Sequence, residues 1–532
     1  MINFVIYSYI LHCVTVFCKN TSSHTYAMDG TQIFLLFVLF LNSLIIFLKL
    51  FVHKKKIHVA PSPPSIPIIG HLHLLNGSIH RVLQHLSSEY GPIMALKFGS
   101  RPVVVVTSPS LAEECFKQND IVLANRPRLL SGKYFDYEYT SIGAVSYGRL
   151  WRDLRHVLTV ELLSTTRLKS YMSIREHEVR SLIKSLYQDT SQDFTKVEMR
   201  SRTHGLSFNV LTTMIFNKRY FGTDVKNIKE ANKFKSLIKD VCEISKATNP
   251  GDFITVLRWI DFQGYKKKVL KLQHEYDCFS QNLIDEIRNE RTSCSSTKKG
   301  KDKTFIDTLL SMQESNQKCY TDNMIKGNIM RLLQAGTDTS SMTIEWAMSL
   351  LLNHPNVLKK ARTELDKNIG QERLVQESDL PNLSYIQCII NETLRLFPTA
   401  PLLVPHEASE DCTIGGFDVA GGTMVLVNVW AIHRDPKLWD DPLSFRPERF
   451  EKMGKEEYRF IPYGMGRRQC LGSGLANRVM GLVLASLIQC FDWERVDKEF
   501  VDLSEGLTMS KEVPLVAKCK VRQAMSHVLM DL

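Results

Sequence analysis

No Cys-x-x-Cys pair occurs in the 532 residues and no His pair stands at zinc spacing, which excludes a zinc module. No Gly-x-Gly-x-x-Gly follows a strand-like run. Gly464-Met-Gly466 and Gly472-Ser-Gly474 both lack the third glycine, so the chain carries no nicotinamide fingerprint of its own. Internal repeats are missing too. Apolar residues make up 44% and charged residues 23%, a balance that excludes a disordered or fibrous chain. The net charge is +11, but the lysines are scattered apart from His53-Lys54-Lys55-Lys56 and Lys266-Lys267-Lys268. With no RNA- or DNA-binding signature beside it, this excess suits an anionic membrane or an acidic protein better than nucleic acid.

Twelve cysteines are present, all scattered, and read as reduced thiols facing the cytosol. The sequons at Asn20, Asn76, Asn382 and Asn391 are taken as chance matches.

Residues Ile33 to Val52 are nearly all Leu, Ile, Phe and Val, interrupted by Asn42, Ser43 and Lys49. A helix over this stretch spans about 30 Å, the thickness of bilayer hydrocarbon. The basic cluster that follows favours a cytosolic body. No small-residue cleavage site follows, which argues against a signal peptide. The expected organisation is an N-terminal extension over 1–27, with a start-site artefact as one reading of it, a membrane anchor over 28–56, a proline-rich hinge over 57–70 and a catalytic domain over 71–532. Pro61, Pro63, Pro64 and Pro67 rule out helix in the hinge and make it a stiff strut.

Beyond residue 80 long amphipathic stretches dominate, with strand-like runs at 102–106 and 424–427. Gly415-Gly416 and Gly421-Gly422 bracket a small hairpin, and 291–303 reads as an exposed loop. The sequence predicts one mainly helical body with small β-sheets.

Residues 460–472 read Phe-Ile-Pro-Tyr-Gly-Met-Gly-Arg-Arg-Gln-Cys-Leu-Gly. Gly464, Gly466 and Gly472 allow positive φ and close approach. The helical periodicity of 474–489 puts Cys470 just before a helix N-terminus, where the dipole lowers a thiol pKa. The pattern resembles the Phe-x-x-Gly-x-Arg-x-Cys-x-Gly haem loop of cytochromes P-450, matched at Gly466, Arg468, Cys470 and Gly472. Tyr463 stands where that family usually has Phe, and Leu471 where Pro is common.

The resemblance implies a cytochrome P-450 fold behind a single N-terminal transmembrane helix, and haem b (iron protoporphyrin IX) with Cys470 as metal ligand. It also implies Arg468, Trp151, Arg155 and His406 around the haem propionates, with Trp151 and Arg155 at the two ends of Trp151-Arg-Asp-Leu-Arg155. Glu392 and Arg395, at i, i+3 on one helix, complete a structural triad with Arg449 of Phe445-Arg446-Pro447-Glu448-Arg449-Phe450. In Ala335-Gly336-Thr337-Asp338-Thr339-Ser340, poor helix formers are expected to interrupt an apolar helix. The resemblance makes Thr339 and Asp338 the catalytic pair that delivers protons for dioxygen cleavage. The plainer reading is that Thr339 bonds back to the Ala335 carbonyl.

The stretches at 251–261, 335–350 and 474–496 are further similar to the plant microsomal isoflavone 2'/3'-hydroxylase-like family, over residues 55–525. That likeness implies a monooxygenase of secondary metabolism, with isoflavonoid or phenolic hydroxylation favoured over terpenoids or lignans. Its partners would be a small hydrophobic substrate, O2, the lipid bilayer of the endoplasmic reticulum and NADPH-cytochrome P-450 reductase, docked near Arg467. The pocket is expected among Leu130–Val145, Arg331–Thr339, Thr399–Val404 and Gly506–Met509, with Arg331, Ala335, Leu403, Val404 and Leu507 as lining residues. Tyr134, Phe135, Tyr137 and Tyr139 are either ring-stacking residues or loop-surface aromatics. Arg331 either faces the pocket and favours a phenolate or carboxylate, or pairs with an acid on a neighbouring helix. Other readings are a reductase-independent haem-thiolate isomerase or dehydratase, which typically lacks the Thr present here at 339, and a non-catalytic membrane haem-binding protein.

Overall fold

The computed structural model describes residues 35–43 and 58–532, apart from 191–192, 223–224, 226, 247–248, 294–303, 316–319, 453, 455–457 and 504–508. The 1–27 extension, most of the anchor, the loop at 294–303 and Leu507 therefore lie outside the described residues. The chain divides into Met1–His58 and Val59–Leu532. In the first unit residues 35–43 are helical with exposed side chains. Among the described residues, the one helix long and apolar enough to cross a membrane is Ser473–Cys490, and it is mostly buried inside the body.

In chain order, the elements that build the site are β1 (Ile93–Phe98), β2 (Arg101–Val106), α1 (Leu130–Phe135), α2 (Arg149–Val157), α3 (Met172–Asp189), β3 (Thr195–Glu198), α4 (Met199–Phe216), α5 (Asp322–Asn353) and α6 (Ser384–Leu396). Then follow β4 (His406–Glu407), β5 (Cys412–Ile414), β6 (Phe417–Val419), β7 (Met424–Val427), α7 (Ser473–Cys490), β8 (Phe491–Arg495) and β9 (Val516–Val521).

Val103 to Val106 are all buried, which suits an inner strand covered on both faces. β2 indeed lies between β1, antiparallel, and β7, parallel, in a sheet of order β1-β2-β7-β4. The predicted hairpin is β5–β6, turned at Gly415 and Gly416, whose φ values of 59° and 78° favour glycine. A second sheet has the order β3-β9-β8.

α5 begins at Thr321, whose hydroxyl accepts from Met324 N at 3.3 Å. From Ser340 to Leu352 every residue is buried, so this half of α5 packs all round, against α4, α6 and α7. The expected interruption at 335–340 does not occur. The helix is continuous because surrounding packing outweighs the weak propensity of its Gly and Thr residues. Two smaller expectations also change. Arg291 to Ser293 close a helix, Tyr265–Ser293, and the proline segment docks on the body, with Ala95 N donating to Pro61 O at 2.9 Å.

Candidate functional site

Cys470 closes a loop held by its own backbone: Cys470 N donates to Tyr463 O at 2.9 Å and Gln469 N to Gly466 O at 3.1 Å. Gly466 has φ 67°, and a Cβ there would come within 2.6 Å of Phe116 O. Only glycine lets the loop lie this close to the 114–118 helical turn. Gly472 differs from expectation: its φ is −86°, so its role is the N-cap of α7 and not a left-handed turn.

The thiol keeps exposed surface, yet protein surrounds it on its other sides. That burial is the largest influence and pushes its pKa up, against the pull of the Gly472 and Ser473 N–H groups and of Arg155. The predicted dipole-lowered thiol is thus reversed, because desolvation of a sulfur anion outweighs two N–H bonds and one cation. A metal that replaces the proton would recover the interaction.

Cations that form no ion pair among the described residues crowd one side of this loop. Arg468 donates only to carbonyls, those of Ala124 (2.6 Å), Ile142 (3.0 Å) and Val145. Arg155 donates to Gln469 O at 2.9 Å. Trp151 is buried, with the Arg155 and Arg468 guanidiniums 5.6 and 5.0 Å from its ring centre, so the predicted Trp151–Arg155 face is formed. Arg126, which the sequence reading passes over, joins them. Its Nη1 meets the carbonyls of Val404 (2.7 Å) and Pro405 (2.8 Å), while its Nε is buried without a partner. Burial and the charge of Arg468 push Arg126 down to about 9. The detectable signal was an acid-free stretch: no Asp or Glu lies between Asp120 and Asp136. Among the described residues no carboxylate pairs with Arg126, Arg155 or Arg468. Half-buried cations with no ion-pair partner among the described residues, beside an accessible thiol, fit a dianionic, thiolate-ligated cofactor.

His406 is different. Burial first, then Arg126, holds it neutral, and its Nδ1 lies 2.6 Å from Leu123 O. A carbonyl only accepts, so Nδ1 carries the proton and Nε2 is left as an acceptor.

Glu392 and Arg395 are fully buried and bidentate, at 2.7 and 2.8 Å, and Arg449 Nε reaches Glu392 at 3.0 Å. Arg395 Nη1 also donates to His433 O at 2.7 Å, and His433 Nε2 accepts from Ile461 N at 3.2 Å. The triad thus reaches the start of the cysteine loop through His433. Burial, Arg395 and Arg434 lower His433 from its ordinary value of 6.5 to about 3. The unfolded imidazole protonates first, so this contribution is present above pH 6.5 and is lost as pH falls toward 3. Stability measured by urea unfolding should slope by on the order of 1.4 kcal/mol per pH unit across that window. His433→Gln, which keeps an acceptor for Ile461, should flatten the slope by one proton.

Other predicted site residues lie on the 331–339 segment of α5. Ala335 is exposed. Thr339 Oγ1 donates to Ala335 O at 2.7 Å, the plainer of the two predicted states, and Asp338 lies 3.3 Å from His204 of α4. Arg331 pairs with Asp136, the buried residue that ends α1. Leu403 has φ 53° and is half-buried, and Val404 is exposed. The loop aromatics are neither free nor superficial. Phe135 is buried, Tyr137 donates to Asp277 at 2.9 Å and Tyr139 to Leu129 O at 3.1 Å. Arg467 lies 3.6 Å from Asp120.

The chain is similar to known proteins over most of its length. The family model "Cytochrome P450" matches residues 60–516. The chain is 52% identical over 488 residues to cytochrome P450 81Q32 of Catharanthus roseus, covering 91% of this chain and 96% of that one. It is 47% identical to isoflavone 2'-hydroxylase of Glycyrrhiza echinata, covering 89% and 94%. A zebra fish cytochrome P450 structure with progesterone superposes with TM-score 0.72 at 26% identity, covering 83% of this chain and 99% of the other. The chain therefore belongs to the cytochrome P450 family, in the plant branch that includes isoflavone 2'-hydroxylases, and is a haem monooxygenase with a cysteine thiolate ligand.

Proposed function

We propose that this protein hydroxylates a flat, phenolic plant specialised metabolite, with isoflavonoids as the first class to test. Its electrons would come from NADPH-cytochrome P-450 reductase, at the endoplasmic reticulum membrane, through an anchor over 28–56. The observation that carries the reading is an accessible Cys470 thiol beside three arginines that form no ion pair with a carboxylate among the described residues. Bound haem supplies insertion of one oxygen atom of O2 into substrate, the other leaving as water.

In this reading Cys470 would be the metal ligand, and Arg126, Arg155 and Arg468 would hold the propionates, with the Trp151 ring within 5.6 Å of two of them. Thr339 holds a proton-bearing water. Its hydroxyl hydrogen is committed to Ala335 O, which leaves its oxygen lone pairs to accept. Asp338, beside His204, connects that turn to proton exchange with solvent. Thr339→Val keeps the shape and removes the acceptor. Product formed per NADPH should fall by roughly 10²-fold, the low end for a positioned proton donor. Peroxide release should take up the difference, and an unchanged ratio would remove Thr339 from the relay.

The direct test reconstitutes the protein with reductase in lipid vesicles and screens flavonoids, lignans and terpenoids under isotopically labelled dioxygen. Labelled hydroxylated flavonoid is the expected product. Label confined to terpenoids would reassign the substrate, and unlabelled product would favour isomerase chemistry.

A further inference from the structure

Arg331 and the loop after α1 form a connected polar system that the monooxygenase chemistry does not require. Asp136 is fully buried and accepts from Arg331 Nε and Nη2 and from Ser141 Oγ. Arg331 Nη1 donates to Gln334 at 3.0 Å, so every nitrogen of the guanidinium has a partner. Gly143 lies against its stem, with only 3.5 Å between a Cβ there and Arg331 Cδ. One turn back on α5, Asn328 Oδ1 accepts from Ile142 N at 2.9 Å.

The other end of the loop is tied to the cysteine side, where Arg468 donates to the carbonyls of Ile142 and Val145. Residue 142 is thus held by its N–H from one wall of the site and by its carbonyl from the other. Between the ties, Tyr137, Glu138 and Tyr139 have φ values of 45°, 57° and 62°, three successive non-glycine residues in the left-handed region. Such a run persists only where its surroundings over-determine it, and it marks a segment whose position matters.

We propose that Arg331 is a specificity-determining positioning residue: paired with Asp136, it latches loop 136–145 onto α5, and its charge is neutralised inside the protein, so the site takes uncharged ring systems and disfavours carboxylates. The loop bridges the turn bearing Ala335 and the arginine two residues before Cys470, so its placement sets which part of a flat ring can enter between them. The substrate half rests on the flavonoid reading above, whereas the latch does not.

Two measurements on the full-length holoenzyme separate them. Hydrogen exchange of the 137–145 amides is compared between the wild type and Arg331→Leu/Asp136→Leu, which removes both charges and leaves neither stranded. Exchange should be faster by roughly tenfold or more in the double variant, and an unchanged rate overturns the latch. Spin-state titration with isoflavone and with a carboxylated isoflavone then reads the charge preference. The wild type should bind the neutral probe about tenfold more tightly. Asp136→Asn, which frees the guanidinium, should gain about tenfold for the carboxylate. A wild type that prefers the carboxylate, and loses it in Arg331→Leu, overturns the proposal. If neither probe shifts the spectrum, the flavonoid reading fails while exchange still decides the latch.

Discussion

Replacing Cys470 by serine is expected to abolish turnover while leaving much of the haem bound. The cysteine supplies an anionic, polarisable sulfur, and a serine hydroxyl at neutral pH supplies neither charge nor softness. The cations proposed to hold the cofactor's anionic edge, Arg126, Arg155 and Arg468, are untouched by the change, and so is the backbone bond from residue 470 to Tyr463. Two readouts therefore part company. The haem-to-protein ratio should fall only modestly, while the carbon monoxide spectrum of the reduced protein should lose its long-wavelength Soret band. Product formation should drop to background. A serine variant that kept either the band or the turnover would remove Cys470 as the ligand.

The second large effect is expected at Glu392→Gln. This carboxylate is fully buried and takes bonds from Arg395 Nε and Nη2, Arg449 Nε and the Arg446 backbone N–H. The amide leaves the buried Arg395 without a counter-charge and turns one acceptor into a donor aimed at guanidinium hydrogens. Stranding one partner of a buried pair costs about 3–5 kcal/mol, a large part of a protein's whole margin of about 5–15 kcal/mol. Because Arg395 also holds His433, and His433 holds Ile461, the damage should reach the cysteine loop and appear as failure to retain haem at growth temperature. Arg449→Lys offers the comparison. That side chain is partly exposed and contributes one of the carboxylate's four bonds, so its loss should cost much less, as measured by urea unfolding. Equal damage from both variants would show that the pair with Arg395 is not the keystone.

Much of this was legible in the residues because the chemistry is local. Gly466, Arg468 and Cys470 lie within one loop, Glu392 and Arg395 within one helical turn, and four consecutive valines announce a strand. Arg126 escaped notice because what marks it is the absence of an acid around it in space, and a sequence shows only absence along the chain. The direction of the thiol's shift is not legible in the sequence for a related reason. A helix N-terminus can be read from periodicity, but desolvation depends on every element packed around the sulfur. The helix at 335–340 was expected to break on propensity alone, and burial of the following turns kept it whole.

The family and the Glu392–Arg395 pair were written in the residues alone, since each rests on residue types at spacings a sequence displays. Tertiary structure alone decided that Arg331 answers to Asp136, 195 residues away, that His406 stays neutral, and that Thr339 faces its own helix. Partner choice for a charged or polar side chain is settled by which groups the fold brings within about 3 Å, and by how much water it removes from between them.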